Sequence, residues 1–213
     1  MKAGLKAVFA LLALGAAGPA FAHLGGGHAH SFLDGVLHPL TGWDHALVAL
    51  VVGLIVGRGF FARTLSANGD LGAGGLQQRA NAGDLRLPLL FIGGMSLGML
   101  AGASFAFGEW IEQGITLSLL AAGLLLLLWR DAVTPVLAAS ALAVLLFSGA
   151  AHGVVHAVEG GLVPGYLSGI LAGTALLHTV GIALGRALGA QALLLRGAGA
   201  LTAGAGLVVL VGG

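Results

Sequence analysis

Apolar residues in this chain neither alternate nor keep to one helical stripe. They run on in long blocks. After residue 30 there are six of them, at about 35–57, 87–107, 110–129, 132–157, 162–185 and 192–212, separated by short polar or glycine-rich breaks. A helix needs about 20 apolar residues to cross ~30 Å of hydrocarbon at roughly 1.5 Å per residue, and each block supplies them. The pattern predicts an all-α polytopic membrane bundle of six transmembrane helices. Pro88, Pro135 and Pro164 fall in the first turn of a predicted span, where a missing N–H costs nothing. Pro39 is the exception. It either starts the first helix, leaving 31–38 as an interfacial lead-in, or kinks a longer one.

Ahead of the blocks, residues 1–22 read as a cleavable signal peptide. Lys2 and Lys6 make a basic start, Val8 to Ala16 a short apolar core, and Ala20-Phe21-Ala22 a small-x-small cleavage site. The mature chain is then a single domain, 23–213, beginning at His23. The one long connection, 58–86, is glycine-rich, with four Arg and two Asp and no apolar periodicity, and reads as a flexible loop.

Composition sharpens this reading. The 213 residues are 58% apolar and 8% charged, against about 25% charged in a soluble domain. Disordered chains, nucleic-acid binders and coiled coils are excluded. A net charge of +1 points to no polyanionic partner. With no cysteine there is no disulfide, thiolate metal site or thiol nucleophile. All seven Arg (58, 63, 79, 86, 130, 186 and 196) fall on one side of the predicted topology, while Asp34, Glu109, Glu112 and Glu159 fall on the other. By the positive-inside rule the mature N-terminus is outside and loop 58–86 cytoplasmic. Glycines recur at four-residue intervals, as in Gly94/Gly98/Gly102 and Gly181/Gly185/Gly189. Such stripes let helix backbones approach closely in lipid, within one chain or between copies, so a homo-oligomer stays open.

Histidine is the unusual residue. The eight His equal the Asp and Glu combined, and several lie inside apolar blocks, where a polar group is costly and functional by default. The first block carries His38-Pro-Leu-Thr-Gly-Trp-Asp44-His45. On an intact helix His38 and His45 share a face two turns apart. A carboxylate at Asp44 has to face the bundle interior and find a His, a metal or water. The fourth block ends in His152-Gly-Val-Val-His156-Ala-Val-Glu159. That spacing suits two imidazoles on one divalent ion with a carboxylate to ligate or orient. In the predicted topology both groups lie in the outer half of the membrane. His178, deeper in the fifth block, is either a second station or a helix–helix hydrogen bond. His23, His28 and His30 form a His-rich tract suited to weak outer capture of metal. Imidazole with carboxylate and no thiolate suits Ni(II), Co(II), Zn(II) or Cu(II), and argues against Cu(I), Mg and Ca.

The first motif resembles the His-Pro-x-x-Gly-x-Asp-His signature of the HupE/UreJ family. The second resembles that family's His-Gly-x-x-His-Gly-x-Glu, with Ala157 in place of the second Gly. Members are regarded as secondary permeases of the bacterial cytoplasmic membrane for nickel, or in some cases cobalt, associated with hydrogenase or urease maturation. The resemblance implies that His38, Asp44 and His45 bind or pass the ion, with His152, His156 and Glu159 as partners. It implies no bound cofactor beyond the transported ion, Ni2+ ahead of Co2+ or Zn2+. No phosphate-binding glycine motif is present in the sequence.

Two other classes compete with a permease. An intramembrane zinc hydrolase would use His152 and His156 with a third His, Asp44 as base and Ser148 as the nearby hydroxyl. A metal sensor or metallochaperone partner would bind without transporting. What surrounds the histidines discriminates between them.

Overall fold

The computed structural model describes residues 31–59, 85–102, 104, 110–128, 135–189 and 191–212. The expected signal peptide, His23, His28, His30, Glu109 and the interior of loop 58–86 lie outside the described residues. Those described form helices and turns: α1 (Phe32–Thr41), α2 (Trp43–Gly57), α3 (Arg86–Gly102), α4 (Trp110–Leu127), α5 (Pro135–Gly160), α6 (Pro164–Leu188) and α7 (Ala192–Gly212). This is an all-α membrane helix bundle, and each of the six predicted apolar blocks contains helix. Among the described residues three helices have the full length and apolarity of a crossing: the 139–160 part of α5, α6 and α7. The shorter α3 and α4 are apolar rods of 17 and 18 residues.

The first block is not one rod. α1 and α2 meet at an 80° bend and together make the fourth candidate crossing. Pro39 sits inside α1 rather than at its start, and its missing N–H already weakens the last turn. The chain then leaves the helix at Gly42 (φ −74°, ψ 107°), whose N–H still donates to the His38 carbonyl at 2.9 Å. The N-terminal end of α1 is fixed by a capping box. Ser31 Oγ accepts from the Asp34 N–H at 3.2 Å, and Asp34 Oδ2 accepts from the Ser31 N–H at 2.8 Å.

The helices pack in pairs: α3 on α5, α4 on α7, and both α1 and α2 on α6. Glycine makes each seam. A Cβ on Gly53 would overlap the His178 carbonyl, one on Gly98 the Ala150 carbonyl, one on Gly153 the Met95 carbonyl, and one on Gly123 the Ala203 nitrogen. Without hydrophobic drive in lipid, this backbone contact is what holds helices together. The glycine stripes of the sequence are thus used within the chain. Gly161, with φ +63°, turns α5 into α6 and fixes how those two helices meet.

Candidate metal centre

The bend at Gly42 sets the site. α2 starts immediately after it with no side-chain cap, and Asp44 occupies its first turn. Asp44 Oδ1 accepts from the His45 N–H at 2.9 Å and from the His45 ring at Nδ1, 2.7 Å. One carboxylate therefore satisfies an orphan helix-start donor, offsets the positive end of the helix dipole and orients an imidazole. Gly42 leaves room for this pair. A Cβ there would lie 3.3 Å from both Asp44 Oδ1 and His45 Nδ1.

Across the bend, His38 and His45 have ring centroids 5.6 Å apart. His156 of α5 stands against both, at 4.8 Å from His38 and 4.6 Å from His45. The three residues offer ligand nitrogens that all lie within 4.8 Å of one another. His38 and His45, expected on one face of an intact helix, come instead from two helices joined at the bend, and His156 joins them from a third. His152, one turn earlier on α5, joins the edge of the cluster at 4.9 Å from His45.

Each of these rings, His156 excepted, is held at Nδ1. Asp44 holds His45. The Ser148 carbonyl takes the Nδ1–H of His152 at 2.8 Å. Tyr166 Oη lies 3.1 Å from His38 Nδ1. Nε2 of His45, Nε2 of His152 and both ring nitrogens of His156 are buried without a hydrogen-bond partner among the described residues. A buried polar atom left unpaired costs about 1–3 kcal/mol, a cost that a bound metal ion would relieve at these nitrogens. Imidazole nitrogens held in place by neighbouring protein oxygens fit a divalent transition metal.

The remaining sequence candidates fall elsewhere. Glu159 is exposed on the last turn of α5, outside the three-histidine group. His178 is buried on α6, its Nδ1–H donating to the Ala49 carbonyl of α2 at 2.8 Å. Nε2 of His178 also has no partner among the described residues. The Phe91 ring stands between it and the cluster, 5.3 Å from His178 and 5.5 Å from His152. Glu112 is exposed. Sequence reasoning missed Tyr166, Phe91 and the two backbone carbonyls. None of them carries a spacing signal, because each reaches its histidine by packing.

Residues 11–209 match the family described as HupE / UreJ protein. The chain is 32% identical over 209 residues to Protein HupE of Rhizobium leguminosarum bv. viciae, covering 97% of this chain and 98% of that relative. The chain belongs to the HupE/UreJ family. The two sequence motifs that carried the resemblance both contribute to the cluster, His38 and His45 from one and His156 from the other. No solved structure matches the chain.

Proposed function

We propose that this HupE/UreJ chain is a secondary permease that carries a divalent transition-metal ion, nickel or cobalt, inward across the bacterial cytoplasmic membrane. The observation that carries this reading is the convergence of His38, His45 and His156 from α1, α2 and α5, with ligand nitrogens within 4.8 Å. The family's association with nickel and cobalt transport supports it, and its hydrogenase and urease links suggest where the ion goes. The ion is the substrate. It is captured by the cluster beside the bend, with His23, His28 and His30 as an outer collecting tract. Asp44 balances its charge, and His178 lies further along the path beyond Phe91. Such a site works only if it binds well enough to load and weakly enough to release.

Orientation follows from charge. Arg58, at the end of α2, donates to the Gly189 carbonyl at the end of α6 at 3.3 Å, so those two helix ends lie on one side. Placing the arginines inside puts the cluster in the outer half, the mature N-terminus outside and loop 58–86 in the cytoplasm.

The hydrolase reading finds less support. Ser148 Oγ donates to the Val144 carbonyl at 2.7 Å, and its own carbonyl serves His152. The apolar groove that reaches Ser148 between α4 and α5 is lined by Leu117, Leu124 and Phe147 and by no histidine.

Nickel uptake into metal-starved cells tests the proposal, with cobalt and zinc as competitors. Wild type should accumulate nickel, and Asp44→Ala at matched membrane abundance should not. Binding by the purified protein without uptake by cells would sink the permease reading in favour of a sensor or hydrolase.

A further inference from the structure

We propose that Tyr166 is a positioning residue for the ion site, its phenol holding the His38 ring so that Nε2 faces His45 and His156. This rests on the reading of the cluster as an ion site.

The geometry comes from two helices far apart in sequence. Tyr166 stands in the first turn of α6, and its Oη lies 3.1 Å from His38 Nδ1. The two rings are nearly perpendicular, at 81° with centroids 5.9 Å apart. His156 and His45 also stand against the His38 ring. Tyr166 thus grips the Nδ1 edge of an imidazole that takes part in the cluster.

The phenol is itself immobilised. Tyr166 is 4% exposed. A Cβ on Gly160, the last residue of α5, would overlap its ring, and a Cβ on Gly35 of α1 would overlap its carbonyl oxygen. α1 and the corner between α5 and α6 therefore close around it.

His38 has particular need of such a hold. It sits on a ten-residue helix set at 80° to α2, a different element from the one that carries His45. Nε2 ligation requires a neutral imidazole with its proton on Nδ1. In that tautomer Nδ1–H donates to the phenol oxygen, the role the Asp44 carboxylate plays for His45. Outer partners of this kind are worth about 10–100-fold in metal affinity.

The test is Co(II) titration of the purified full chain in detergent, read by the visible absorption of the bound ion. Wild type, Tyr166→Phe, His38→Ala and the double variant are compared, with thermal unfolding run on each. Tyr166→Phe should weaken Co(II) binding by about tenfold or more and shift the spectrum toward that of His38→Ala. The double variant should bind no more weakly than His38→Ala alone, because the phenol acts only through that ring. Gly160→Ala, which keeps the phenol but displaces its ring, should weaken binding in the same way and carries the test if Tyr166→Phe misfolds. Unchanged binding and spectrum in a folded Tyr166→Phe, beside a weakened His38→Ala, overturn this proposal alone. Penalties that add in the double variant also overturn it. A wild type that binds no Co(II), or a His38→Ala that binds as wild type does, overturns the ion-site reading and this proposal together.

Discussion

At the proposed ion site the two nitrogens of His45 and of His152 have different work. Nδ1 is spent on an oxygen of the protein, which leaves Nε2 for a guest. His45 shows the cost of losing the first partner. In Asp44→Asn the amide oxygen can still accept from Nδ1, but the charge that balances a divalent ion is gone. Binding of nickel by the purified protein should weaken by about 10–100-fold, measured by calorimetry. Protons compete for the same lone pairs. A protonated ring offers no lone pair, so uptake should fall as the medium is acidified. Uptake that rose steadily on acidification would contradict imidazole ligation. His38, Asp44, His45, His152 and His156 were legible in the sequence because a polar side chain inside an apolar block has few structural excuses. Tyr166 was not legible. An aromatic residue near the start of a span reads as an interface anchor, and its partner stands 128 positions away.

At the scale of the helix, length and apolarity are written in the chain, and bending is not. The six blocks were readable because lipid forbids irregular backbone exposed to it. The bend at Gly42 was not, since Pro39 and Gly42 each occur within otherwise straight spans. That bend makes His38 and His45 converge from different helices rather than from one face. Seams between helices make a sharper prediction. Gly93 and Gly94 are neighbours in α3, but a Cβ on Gly94 would overlap the Leu146 carbonyl of α5 while one on Gly93 meets nothing within 4 Å. Gly94→Leu should lower the unfolding midpoint in detergent, at a cost of about 1–3 kcal/mol or more for forcing atoms into a filled space. Gly93→Leu should leave it nearly unchanged. Equal effects from the two would mean that α3 does not pack on α5 through this face.

At the scale of the whole molecule the open matter is which side faces which compartment. The chain has no cysteine, so a single introduced cysteine reports without background. With the arginines inside, a cysteine at Gly161 should react with an impermeant maleimide in spheroplasts, and one at Ala73 in loop 58–86 only after lysis. The reverse pattern would invert the orientation and with it the direction of capture. The paired glycine seams have a further consequence, one for genetics. Gly53 holds no ligand atom, yet any side chain there would strike the carbonyl of His178, and Gly35 stands in the same relation to Tyr166. Random mutagenesis scored by lost uptake should therefore return such glycines alongside the histidines. The target for inactivating substitutions is much larger than the set of residues that touch the ion.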